Sequence, residues 1–228
     1  MSRVRAWLVH LYTASGVVFA LLATIESDVK RVFVWLTIAV LIDATDGPLA
    51  RRFDVKRVLP HISGRSIDDI VDYLTFTFVP LLLVVRMEWV PSIWFVVPAL
   101  MASLLGFANS GAKDESGGFF LGFPSYWNIA AFYFGIIAAR GGEMINAILI
   151  LALAVLTVMP VGFIYPNLAP RRWKALILGG AVVWLAMLMA MLPRYPDPPL
   201  WLVALSLVYP LFYTVVSFVE YRRRLAAL

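Results

Sequence analysis

Asp43-Ala-Thr-Asp46-Gly47-Pro-Leu-Ala50-Arg51, followed after a basic segment by Gly64-Arg-Ser-Ile-Asp68-Asp69-Ile-Val-Asp72, decides how the rest of the chain is read. Five of the fourteen acidic residues fall in these two pieces. They stand at the ends of two apolar runs, where charge is unfavourable and marks a functional site by default. Asp43 and Asp46 are spaced i, i+3, and Asp68 and Asp72 i, i+4, so on helices each pair shares a face. Asp43 precedes Arg51 by eight residues, a helical depth of about 12 Å. If the two runs are consecutive antiparallel helices, four carboxylates converge just below one membrane surface. Like charges at low dielectric repel, so the group calls for protons or a cation. Oxygen ligands of this kind suit Mg²⁺ or Mn²⁺, and four carboxylates are enough for two such ions. Asp68 and Asp69 alone would pass as charges favoured at a helix N-terminus. Asp43 and Asp46 lie toward a helix C-terminus, where negative charge is disfavoured. Gly47, Ala50 and Gly64 allow close approach of a backbone or a flat ligand, and Arg51 offers a planar donor fork for phosphate.

Outward from this stretch the chain is apolar. Of its 228 residues 62% are hydrophobic and 14% charged, and the mean hydropathy is +0.86. A soluble domain could not bury that much apolar surface. The runs are continuous rather than alternating, which predicts an all-α integral membrane protein and not a barrel. A helix needs roughly 20 apolar residues to cross a bilayer. Eight runs qualify, at about 7–25, 32–50, 67–85, 89–108, 119–139, 145–164, 173–192 and 200–219. Gly122 and Pro124 interrupt the fifth, so its helix is expected to start only near Ser125 or Tyr126. Residues 1–228 are expected to form a single membrane domain. Arg3 and Arg5 would suit a signal peptide, but His10, Tyr12, Thr13 and Ser15 interrupt the apolar region, and an uncleaved span is expected.

The chain has no cysteine, which excludes disulfides and thiol chemistry. Its net charge of +5 is topological. With the N-terminus in the cytoplasm, fourteen of the nineteen Lys and Arg residues fall on the cytoplasmic side. Both termini are basic, so an even number of spans is required, and eight satisfies it. The longer connections (51–66, 109–118 and 165–172) then face the cytoplasm, as the acidic site does. No soluble basic domain exists to carry nucleic-acid binding.

Asp43-x2-Asp46-Gly47-x2-Ala50-Arg51 with Gly64-x3-Asp68-x3-Asp72 resembles the signature of the CDP-alcohol phosphatidyltransferase family. The match covers about 30 residues, with a spacer between Arg51 and Gly64 longer than in many members. Further stretches resemble the bacterial phosphatidylcholine synthase group of that family: Ala6-Trp-Leu-Val-His-Leu-Tyr-Thr-Ala-Ser-Gly16, Val58-Leu-Pro-His-Ile-Ser-Gly64, Asp68-Asp-Ile-Val-Asp-Tyr-Leu-Thr75 and Gly122-Phe-Pro-Ser-Tyr-Trp-Asn128.

The resemblance implies a six-helix core with two added helices, a bacterial inner (cytoplasmic) membrane location and a homodimer. It implies transfer of a phosphatidyl group from CDP-diacylglycerol to choline, giving phosphatidylcholine and CMP. Asp43, Asp46, Asp68 and Asp72 would hold two divalent ions, Mg²⁺ or Mn²⁺. Asp43, Gly47, Ala50, Arg51 and Gly64 would bind the CDP-diacylglycerol, and Asp72 would be the general base. A quaternary ammonium favours aromatic faces, so Tyr12, Tyr73, Tyr126 and Trp127 are the choline-site candidates. His10, Glu115 and Asn128 are lesser ones, and His61 could reach phosphate. Another acceptor (glycerol phosphate, serine or inositol phosphate) would leave the chemistry the same. A cation transporter is a more distant alternative, because the acids lie near one face and no internal repeat is present.

Overall fold

The computed structural model describes residues 2–109, 111, 113–114 and 117–226; Glu115 lies outside the described residues. The chain divides into two compact units. One is Met1–Glu88 with Tyr126–Tyr133, and the other is Trp89–Ser125 with Phe134–Leu228.

The first unit contains the motif. Helices α1 (Ser2–Ala14) and α2 (Gly16–Ile25) form one run interrupted at Ser15, whose hydroxyl donates to the Tyr12 carbonyl at 2.6 Å. Helix α3 (Val29–Arg52) starts at Asp28, whose carboxylate accepts the Lys30 amide, and ends on Arg51 and Arg52. Cations there complement the helix dipole. Pro48 lies inside α3 and lacks the amide that would otherwise bond to the Ala44 carbonyl. The short α4 (Val55–Val58) follows, and then α5 (Gly64–Asp72), where Ser63 accepts the Ser66 amide at 3.1 Å. Helix α5 runs through a π-helical turn (Tyr73–Phe78) into α6 (Val79–Arg86). Pro80 accounts for the turn: it has no amide to give to Phe76, and its ring needs room there. Arg86 closes the far end of the unit by donating to the carbonyls of Thr24 (2.6 Å) and Glu26 (2.7 Å).

The second unit holds α7 (Val97–Ala108), three short strands, α9 (Glu143–Val158), α10 (Arg171–Met191), α11 (Leu200–Ser206) and α12 (Val208–Leu225). Helix α8 (Trp127–Ala138) begins in the first unit and ends in the second. Strands β1 (Lys113–Asp114), β2 (Phe119–Leu121) and β3 (Gly162–Ile164) form an antiparallel sheet in that order, with Phe120 opposite Phe163. Helix α12 packs on β3: Tyr213 donates to the Ile164 carbonyl at 2.7 Å, and Ser217 accepts the Ile164 amide at 3.1 Å. Phe119, Phe163, Ile164, Ile177, Tyr213 and Val216 form the core there.

All eight apolar runs contain helix, but their lengths differ from the sequence expectation. By length and composition, four are long enough to cross a bilayer among the described residues: Ser2–Ile25, Val29–Arg52, Arg171–Arg194 and Leu200–Leu225. Their outward side chains, such as Val182, Leu211 and Trp201, are apolar and exposed, as in a multi-pass membrane protein. Ile93–Ala108, Trp127–Ala138 and Glu143–Val158 are apolar but shorter, and the run through α5 and α6 opens on charged residues. The sheet is a second departure from an all-α reading. The fifth run starts as strand, paired with β1 and β3, and the strand ends at Gly122, which has φ +88° and where a Cβ would meet the Thr157 carbonyl oxygen at 2.0 Å. Pro124 and Ser125 (φ +56°) follow, so helix begins only at Trp127. Pro160 stops the sixth helix, and 162–164 become β3.

Asn146 is fully buried in the second unit and donates to the carbonyls of Trp89 (2.8 Å) and Phe134 (2.9 Å). Asn146→Ala removes donors from two buried carbonyls. It should lower stability by about 1–3 kcal/mol, measured as the shift in thermal unfolding of the detergent-solubilised protein.

Candidate active site

Helices α3 and α5 bring three of the sequence-predicted carboxylates together. Asp43, Asp68 and Asp72 each offer an oxygen, and these oxygens lie within 4.8 Å of one another. All three residues are half-buried. Asp43 comes from the interior of α3, and Asp68 and Asp72 are one turn apart on α5. Three hard oxygen donors at this separation suit a divalent ion such as Mg²⁺ or Mn²⁺, and the cluster is chemically fit to hold one.

Asp46 falls outside that trio. It is buried, with Thr13 of α1 and the Gly47 amide as hydrogen-bonding neighbours. Asp69 also turns away, toward Arg65 on the next turn, with Nε to Oδ2 at 3.7 Å. The small motif residues have separate settings. A Cβ on Gly47 would lie 3.4 Å from Nη1 of Arg51, so the exposed guanidinium folds back over that glycine. Ala50 packs in an apolar cluster with Ala6 and Val9 of α1 and Val55 of α4. Gly64 opens α5 against the imidazole of His10.

The aromatic candidates do not form one cage. Tyr12 is exposed, and its hydroxyl lies 2.8 Å from that of Thr45, between Asp43 and Asp46. Thr45 donates to the Leu41 carbonyl, which leaves Tyr12 as the donor to it. Tyr73 opens the π turn directly after Asp72 and is half-buried. The Tyr126 ring lies 6.1 Å from that of Phe76. Trp127 is fully enclosed and presents no surface to a substrate, so Tyr12, Tyr73 and Tyr126 carry the aromatic surface of this set. Asn128 is buried, with its carboxamide oxygen accepting the Ile129 amide at 2.9 Å, and His61 is exposed on the loop before α5.

No family model matches the chain. Curated relatives named phosphatidylcholine synthase do. The Rhizobium meliloti protein is 33% identical over 225 residues, covering 96% of this chain and 91% of the relative. The Pseudomonas aeruginosa protein is 35% identical over 81% of this chain and 79% of the relative. The Legionella pneumophila protein is 35% identical over 93% and 87%. The chain belongs to the phosphatidylcholine synthase family. It is accordingly an enzyme of phospholipid biosynthesis, of the phosphatidyltransferase kind, and a membrane protein.

The role of the first helical run was not legible in the motif of this phosphatidylcholine synthase family member. Gly16 is the clearest case. A Cβ there would come 2.4 Å from Cγ1 of Val71, the buried neighbour of Asp72. The signal available in sequence was a glycine between two apolar helical segments, which alone does not say what it packs against. Gly16→Val should force α2 and α5 apart and lower turnover by about 100-fold. Steady-state assay of the purified variant, with elution volume as the control for folding, checks it.

Proposed function

We propose that this enzyme transfers the phosphatidyl group of CDP-diacylglycerol to choline, releasing CMP and forming phosphatidylcholine. The observation that carries the proposal is the convergence of Asp43, Asp68 and Asp72 within 4.8 Å, in a chain whose relatives are phosphatidylcholine synthases. In this reading Asp43, Asp46, Asp68 and Asp72 would hold two divalent ions, Mg²⁺ or Mn²⁺, with Asp46, three residues on from Asp43 in α3, as the fourth ligand. The bound ions would neutralise the pyrophosphate and the oxygens of the attacking and leaving groups.

The chain's own residues supply the rest. Asp43, Gly47, Ala50, Arg51 and Gly64 form the CDP-diacylglycerol site, with the Arg51 fork directed to phosphate. Asp72 accepts the proton of the choline hydroxyl as its oxygen attacks the β-phosphorus carrying the diacylglycerol. The bond to the CMP oxygen breaks and no phosphorylated enzyme forms. Exposed or half-buried Tyr12, Tyr73 and Tyr126 present aromatic faces to the quaternary ammonium. Tyr73, next to Asp72, is the nearest of them in sequence to the proposed base.

The basic residues favour an orientation with both termini and the acidic site in the cytoplasm. On that reading all eight runs cross the inner membrane of a bacterium, the shorter helices completed by adjoining segments. Residues 1–228 act as one membrane domain, and the enzyme works as a homodimer.

Choline-dependent release of CMP from CDP-diacylglycerol by the reconstituted protein, requiring Mg²⁺ or Mn²⁺, is the expected result. Release that ignores choline but responds to serine or glycerol phosphate would reassign the acceptor. Asp72→Asn should retain measurable nucleotide binding while losing turnover by about 100-fold or more; unchanged turnover sinks its role as base. Asp68→Ala should abolish Mn²⁺ binding followed by electron paramagnetic resonance.

A further inference from the structure

Three points around the carboxylate trio rest on the first helical run. His10, Thr13 and Gly16 follow at three-residue steps, a row that winds slowly around the helix. His10 meets Gly64 at the start of α5, Thr13 meets Asp46 on α3, and Gly16 meets Val71 beside Asp72. Helix α1 packs against α3, α4 and α5.

His10 is the member of this row whose chemistry is otherwise unexplained. It is 5% exposed, and its Nε2 is enclosed without a hydrogen-bond partner. The Cε1–Nδ1 edge of the ring faces Gly64: a Cβ on that glycine would stand 3.2 Å from Cε1 and 3.6 Å from Nδ1. Trp7 packs edge-on to the imidazole, with centroids 6.4 Å apart and planes at 78°. To admit a Cβ at 3.2 Å the ring would have to give way by a few tenths of an ångström. Gly64 is the first residue of α5 and does not adopt a positive φ. Its backbone would therefore accept any L residue, and the demand for a small one comes from the space around it. His10 fills that space.

We propose that His10 is a positioning residue matched to Gly64. The imidazole sets how closely the N-terminus of α5 seats against α1. Asp68 and Asp72 are carried on the same helix, so this seat sets where they stand relative to Asp43. Gly64 is a glycine because of the histidine, in addition to any contact it makes with the donor. This deepens the metal-assisted transfer proposed above and rests on that reading.

The test is a double-mutant cycle in the full-length, detergent-solubilised enzyme, using Gly64→Ala, His10→Ala and the pair together. Two quantities are read: the Mn²⁺ concentration giving half-maximal CMP release, and Mn²⁺ binding by electron paramagnetic resonance without substrate. Gly64→Ala should raise the half-maximal concentration by about tenfold, and adding His10→Ala should bring it back to within about threefold of wild type. A pair no better than Gly64→Ala alone overturns the proposal, because the glycine would then be required by the ligand and not by His10. A Gly64→Ala protein with wild-type metal response overturns it equally. Loss of packing alone would lower the folded fraction, seen in elution and thermal unfolding, without moving the metal response of the folded protein. If His10→Ala does not fold, His10→Asn takes its place in the cycle under the same criteria. Wild-type protein that releases no CMP with choline would refute the reaction instead, and Mn²⁺ binding by the variants would still decide the pairing.

Discussion

Like-charge repulsion among Asp43, Asp68 and Asp72 is the constraint around which the first unit is built. Three carboxylates with oxygens within 4.8 Å of one another, in half-buried positions, are unfavourable unless a cation or protons join them. Folding energy from elsewhere has to hold them there. Much of it comes from apolar packing of α1 and α2 on the two helices that carry the acids, and from contacts such as Gly16 against Val71 that admit no larger side chain. The π turn after Asp72 is part of the same arrangement. Pro80 interrupts the ladder without ending the helix, so a polar opening with three aspartates continues into an apolar segment.

The second unit solves a different problem. Its connections carry polar backbone that has to be paired. The three short strands do this, and α12 covers them through Tyr213 and Ser217. At the ends of α10 and α12, Glu220 lies buried between Arg172 and Arg223 and accepts from the Trp173 indole at 3.3 Å. Arg224 pairs with Asp114 of β1 at 2.6 Å. Basic residues that read as topology signals therefore also join helix to helix and helix to strand within this unit.

Much of the site was legible because its spacing is local. An i, i+3 pair and an i, i+4 pair of aspartates share helix faces whatever surrounds them, and Asp43, Asp68 and Asp72 meet as expected. Asp46 was not separable from Asp43 in this way. It lies outside the trio, against the amide of Gly47 and the side chain of Thr13, the second of them a tertiary neighbour that spacing does not encode. The aromatic candidates fared least well as a set. Trp127 has no exposed surface while Tyr12 has a good deal, and burial of an aromatic residue near a helix end depends on what packs over it. The strands were missed for a related reason. Phe119–Leu121 and Gly162–Ile164 are apolar triplets beside helices, too short for a period to show, and they become strand through pairing with each other and, for the first, with β1.

By itself the sequence determined that this is a helical membrane protein, that its acids gather from two neighbouring helices, and which family signature they match. Those conclusions rest on composition and on contacts within a few residues, which the chain carries wherever it folds. Tertiary structure decided which carboxylates share a site, where apolar runs stop being helix, and that the first helical run is the wall behind the motif. His10 against Gly64 and Gly16 against Val71 join residues more than fifty positions apart. Such pairs are set by close packing in three dimensions, where a gap or an overlap of a few tenths of an ångström decides what fits.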